Sequence, residues 1–100
     1  MAKTDKVGAH KTAIYHSDGY TCIRYHSTDV VRFNDDEIIL NSGGWQTVTT
    51  KLRMNQASNQ FRLGFYVHQR QHEWFVTNRG RTYSFNDGMI LERYKEVNYA

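Results

Sequence analysis

Proline is missing from all 100 residues, and cysteine occurs once, at Cys22. A lone cysteine excludes an intrachain disulfide framework and suits a reducing compartment. No apolar run approaches the ~20 residues that a membrane-spanning helix needs. The first residues, "MAKTDKVGAHKT", carry charges with no apolar stretch of signal-peptide length behind them. The expectation is a soluble cytoplasmic chain with no membrane partner. No sign of charge dominates either: 13 Lys and Arg against 10 Asp and Glu give +3, well short of a dedicated nucleic-acid binder.

What is abundant is aromatic. Rings make up 14% of the chain, seven of them tyrosines, and such side chains favour half-buried pleated surfaces. The length fits one domain. Residues 1–10 read as a flexible N-terminal arm and residues 11–95 as a single globular domain.

Turn clusters divide that domain into hairpins. "TAIYH" (residues 12–16) and "YTCIRYH" (20–26) flank Ser17-Asp18-Gly19, and "DVVRF" (29–33) and "EIIL" (37–40) flank an acidic tip. Residues 47–61 have a helical pattern, with Thr47, Thr49 or Thr50 as the candidate cap and Gly64 as the stop. Trp45, Val48 and Leu52 share one side of this helix, and Met54, Ala57 and Phe61 nearly the opposite side. One side can cover a sheet; the other needs a break in the helix, a flanking loop or a partner chain. "FYVHQR" (65–70), "EWFVTN" (73–78), "RTYSF" (81–85) and "MILER" (89–93) complete the set. The order β-β-β-β-α-β-β-β-β describes an α+β fold, an antiparallel sheet built from hairpins with one central helix packed on it.

Chemistry-bearing patterns are sparse. Gly43-Gly44 followed by Thr47, Thr49, Thr50 and Lys51 offers N–H groups, hydroxyls and a cation near a helix start, which suits an anion. It equally suits a tight turn and a capped helix, and the glycine-lysine-serine/threonine ending of a phosphate loop is missing. One cysteine and five scattered histidines are poor material for a metal site, so no metal and no cofactor are expected. Three of the carboxylates Asp29, Asp35, Asp36 and Glu37 sit at a hairpin tip, where turn formation explains them. No nucleophile–base pair can be placed, and the expectation is a protein without enzymatic activity.

Two patches are the candidate binding residues. The first is Trp45, Thr49, Lys51, Arg53 and Asn55. The second is Tyr66, His68 and Arg70 on one side of their strand, joined by Arg79 and Arg81 with Tyr83. Arginines beside rings stack bases and neutralise phosphates, and they also anchor protein interfaces. Against both stands simple burial, with Trp45, Trp74, Phe75 and Phe85 in the core and the arginines solvated.

The stretch from Arg24 to Val76 carries a resemblance. Tyr25-His26, Val30-Val31, Ser42-Gly43-Gly44-Trp45, Thr49-Thr50-Lys51, Arg53-Met54-Asn55-Gln56 and Trp74-Phe75-Val76, with Phe85 to Leu91 further on, resemble a family of small bacteriophage proteins with an SGGWxTxTTKxRMNQ motif. The likeness covers about residues 12 to 93, and the first hairpin and the arm read as additions. It brings no activity, so no residue inherits a role. It implies a phage product in the host bacterial cytoplasm that binds a host or defence protein. The alternative is a small nucleic-acid-binding module using the basic and aromatic sheet face. Self-association through the second apolar helix face fits either.

Overall fold

The computed structural model describes residues 7–8 and 10–93. Residues 1–6 and 9 of the expected arm, and the last two residues of the expected domain, lie outside them. The element order matches the expectation: β1 (Thr12–Ser17), β2 (Tyr20–Tyr25), β3 (Thr28–Phe33), β4 (Glu37–Leu40), α1 (Val48–Gln60), β5 (Phe65–Arg70), β6 (Glu73–Asn78), β7 (Arg81–Ser84) and β8 (Met89–Glu92). All pairings are antiparallel, and the strands divide between two sheets. The larger has the order β1-β2-β3-β4-β8 and the smaller β5-β6-β7. Thus β7 and β8, joined by only four residues, lie in different sheets.

Local chemistry sets the turns. Asp18 and Gly19 both have positive φ, at 53° and 83°, which matches the right-handed twist of the strands they join. Gln71 and His72 adopt the same region at 51° and 69° without any glycine, a strained turn held by six cross-strand pairs between β5 and β6. In β3 the register slips opposite Ile23 and Arg24. The extra residue is Val30, and Val30 and Val31 are both buried in the core. A regular strand would send one of two consecutive valines outward; the bulge spares both.

Thr47 caps α1, its Oγ1 accepting from the Thr50 N–H at 3.1 Å, worth about 1 kcal/mol. The far end closes one turn before Gly64. The Leu63 N–H reaches the Ser58 carbonyl at 2.8 Å, with Arg62 left-handed at φ 55° and Leu63 fully buried. That is a Schellman closure with arginine where glycine is usual.

The two sheets and the helix share one core. Ile23, Val31, Ile38, Leu40 and Leu91 come from the larger sheet, Phe65, Val67, Trp74 and Val76 from the smaller, and Met54 and Ala57 from α1. Several polar residues of α1 are buried or half-buried and bond to backbone groups of neighbouring segments. Asn55 donates Nδ2 to the Val67 carbonyl at 2.9 Å and accepts the Val67 N–H at 2.8 Å. Ser58 does the same for Phe65, at 2.7 and 3.0 Å. The free edge of β5 is thereby closed by the helix. On another side, Gln60 and Gln56 accept the N–H groups of Val7 and Gly8, at 2.8 and 3.0 Å. This part of the expected arm is docked on α1. A Cβ on Gly8 would run into the Arg53 guanidinium, so glycine allows the approach. No helix among the described residues is long and apolar enough to cross a membrane.

Candidate functional site

The two stretches that stood out in the sequence, Tyr25 to Val30 and Ser42 to Thr50, meet. They line an open pocket of about 390 Å³ with Tyr25, His26 and Trp45 as aromatic walls, Val30 and Ser42 deeper in, and Thr28, Thr47 and Thr50 adding hydroxyls. Tyr25 and His26 meet edge to face at 4.4 Å between ring centroids.

The frame of this pocket is heavily cross-braced. Asp87, brought in by the β7–β8 turn, accepts both the Ser42 N–H at 2.8 Å and the Ser42 hydroxyl at 2.7 Å. The Asn41 N–H bonds to the Val30 carbonyl at 3.1 Å, and Asn41 Oδ1 accepts from the Gly43 N–H at 2.7 Å. Gly43 has φ 65°, and a Cβ there would collide with the Thr28 hydroxyl; only glycine lets the loop lie against the β2–β3 turn. The Trp45 N–H closes the turn onto the Ser42 carbonyl at 3.0 Å. Trp45 is 71% exposed and Val48, one helical turn edge away, 75% exposed. Both belong to one of the two apolar helix sides expected from the sequence; among the described residues Trp45 and Val48 are uncovered, while Leu52 on the same side is half-buried.

Of the first candidate patch, only Trp45 lines the pocket. Thr49 is half-buried in the first turn of α1. Lys51 reaches the other way, toward Gln69 Oε1 at 3.4 Å. Arg53 is 7% exposed; its Nε donates to Thr12 and its Nη1 to Gln56, both at 3.0 Å, and it lies 5.6 Å from the Tyr25 ring centroid. Arg53 therefore positions a pocket wall from behind. Asn55 is committed to β5. The expected grouping fails because residues 49 to 55 wind around a helix surrounded on several sides, which sends successive side chains to different neighbours.

The second patch also divides. Tyr66, His68 and Arg70 share the outer face of the small sheet with Phe75, and the rings form a ladder. Tyr66 and His68 stack at 5.4 Å and 11°, and His68 and Phe75 at 6.0 Å and 27°. The chain His68–Thr77–Thr82 continues it, with both contacts at 2.9 Å. Arg81 and Tyr83, however, pair across from Asn78 and Val76, which puts them on the opposite face. There, with Arg79, they border a groove against β8. Arg79 forms an ion pair with Glu92 at 3.3 Å. Of the four rings assigned to the core by simple burial, Trp74 and Phe85 are buried, Phe75 half-buried on the outer face, and Trp45 exposed.

The acidic residues are structural partners. The Tyr15 hydroxyl donates to Asp29 Oδ2 at 2.6 Å, and Arg24 donates to Asp29 Oδ1 at 3.0 Å and to the Tyr15 oxygen at 2.9 Å. The bond to Asp29 pushes the Tyr15 pKa up to about 12, with burial and the Asp29 charge adding to it and Arg24 opposing. The Tyr20 hydroxyl donates to Glu37 at 2.8 Å, which raises its pKa as well. Arg32 lies over the Tyr20 ring at 4.7 Å. Asp35 is 4.0 Å from Arg93.

Tyr25, His26, Thr28, Val30, Ser42 and Asp87 were not among the candidate site residues. The paired "YH" and "SGGW" stretches were a signal for most of them; nothing local in Asn86-Asp87-Gly88 distinguishes the carboxylate from an ordinary turn residue.

No curated protein and no solved structure matches this chain. A family model does match, over residues 1–92, described as Kyanoviridae Gp96 protein. The match takes in the whole of both sheets, the helix and the pocket, and the first hairpin and arm with them. The chain belongs to the Kyanoviridae Gp96 family of phage proteins.

Proposed function

We propose that this phage protein is a non-enzymatic interaction protein that engages a host or defence protein in the bacterial cytoplasm through the Trp45–Val48 lip and the pocket beside it. The observation that carries this reading is the chemistry of the lining. Trp45, Tyr25, His26, Val30 and a set of hydroxyls form the walls, with no lysine or arginine among them. A phosphate would call for such a cation, whereas an uncharged or aromatic side chain from a protein partner finds rings, hydroxyls and a rigid frame. Exposed tryptophan next to a preformed concavity is the usual composition of an energetic centre in a protein interface.

The test is capture from infected-host lysate with tagged protein, with and without nuclease, at two salt concentrations. A discrete protein retained after nuclease and at the higher salt, and lost with Trp45→Ala, is the expected result. Trp45→Ala should leave stability within about 0.5 kcal/mol, because the side chain is a surface one. Capture unchanged by Trp45→Ala refutes the assignment to this lip.

A second reading, a nucleic-acid-binding module, draws on the Tyr66–His68–Phe75 ladder on an uncovered sheet face, since stacked rings accept bases. It predicts capture of nucleic acid that falls steeply with salt and depends on Tyr66 rather than Trp45.

A further inference from the structure

We propose that the pocket beside Trp45 receives a tyrosine side chain of the partner protein, carried on a short uncharged segment, with its phenol oxygen bonded to Thr28. This rests on the reading of the pocket as a protein-binding site and names what enters it.

The cavity is shaped for a ring. Tyr25 and His26 stand at 68° with centroids 4.4 Å apart, so their corner offers ring surface in two directions, and Trp45 lines the same pocket. Aromatic pairs favour the edge-to-face and offset contacts that such a corner allows. The corner is fixed from within the chain. The Arg53 guanidinium lies 5.6 Å from the Tyr25 ring centroid, and the His26 N–H donates to the Lys11 carbonyl at 2.8 Å. His26 sits at φ 56°, a left-handed conformation that is costly without glycine and is found at ligand clamps. A preformed wall lowers the ordering cost of binding. The volume of about 390 Å³ exceeds one aromatic side chain, which leaves room for backbone on either side of it.

Hydroxyls decide which ring. Ser42 donates its hydroxyl to Asp87 at 2.7 Å. Thr47 and Thr50 bond to each other at 3.0 Å, and Thr47 accepts the Thr50 N–H as well. Thr28 is half-buried, and its hydroxyl bonds to no other described residue. A threonine hydroxyl both donates and accepts. A phenol does the same, whereas phenylalanine leaves Thr28 unmatched. Among the described residues no Asp, Glu, Lys or Arg lines the pocket. An uncharged occupant therefore complements it, and a cation or carboxylate buried there by the partner would stay unpaired.

The probe is an acetylated and amidated Ser-Gly-Tyr-Gly-Ser peptide, titrated into the full chain, with phenylalanine and lysine versions as controls. Heteronuclear NMR reads the Trp45 indole N–H and the Val30 and Ser42 amides. The tyrosine peptide should shift these signals and bind about three- to tenfold tighter than the phenylalanine peptide. The lysine peptide should bind more weakly than either. Thr28→Val keeps the branched shape and should bring the tyrosine peptide down to the phenylalanine level. Trp45→Ala should weaken both. The proposal is overturned if the wild-type protein does not bind the tyrosine peptide, binds it no better than the phenylalanine peptide, or binds the lysine peptide best. Shifts confined to residues away from the pocket, or a tyrosine preference that survives Thr28→Val, overturn it too. Excess tyrosine peptide should also displace the protein captured from lysate. Trp45-dependent capture that the peptide does not displace overturns the tyrosine assignment and leaves the interface standing, whereas capture without Trp45 dependence removes the interface itself.

Discussion

Asp87 shows how one side chain governs a site that it does not line. It gathers the N–H and the hydroxyl of Ser42, and Ser42 is 1% exposed, so water cannot replace the lost acceptor. Asp87→Ala should cost about 2–3 kcal/mol, the penalty for buried donors left unpaired. Asp87→Asn keeps an oxygen for them and should cost less; urea denaturation of the two variants measures the difference. Tyr15 carries a pH dependence of definite sign. Its pKa is raised above the unfolded value of 10.0 to about 12, so the folded state holds the proton more tightly. Its contribution is complete below pH 10 and disappears as pH rises through about 12. Denaturation midpoints taken below pH 10 and near pH 11 should fall more for wild type than for Tyr15→Phe, which has no proton to lose.

Secondary-structure elements here are joined by side chains acting as backbone. Asn55 and Ser58, three apart on α1, supply to β5 the donors and acceptors that a neighbouring strand would provide. Asn55→Ala opens the Val67 N–H and carbonyl at that edge, and a loss of about 2 kcal/mol is expected for two partly buried groups. Hydrogen exchange at the Val67 amide should quicken in the variant, and unchanged exchange would refute this role for Asn55. The sequence shows no partner for the polar side chains of "RMNQAS" beside the apolar Met54 and Ala57. Arg53 and Asn55 therefore stand in the first candidate binding patch. Their partners, Thr12 and Val67, lie 41 and 12 residues away, beyond the reach of any local pattern. Hairpins were legible for the opposite reason: Asp18-Gly19 and Arg79-Gly80 state the turn within the two residues that make it.

At the scale of the whole molecule, two sheets and a helix depend on a single core. Trp74, 5% exposed, meets Phe85 edge to face at 5.3 Å where the smaller sheet passes into the turn leading back to the larger. Trp74→Ala should cost about 3–5 kcal/mol. In wild type, ring fluorescence and far-ultraviolet dichroism should report one coincident unfolding transition, as a shared core requires. Two separated transitions would show the sheets to be independent units.

Element order, strand boundaries within a residue or two, a threonine cap near the start of α1 and the two apolar sides of that helix were determined by the sequence alone, because period, turn chemistry and capping act over a few neighbouring residues; which threonine caps and which side faces the core were not. The division into two sheets, the bulge at Val30, the union of the Tyr25 and Trp45 stretches into one pocket and the separation of Arg81 from Tyr66 were decided only in the tertiary structure. Register and strand order depend on which edges meet and how the shared core closes, and those are contacts between residues far apart in the chain.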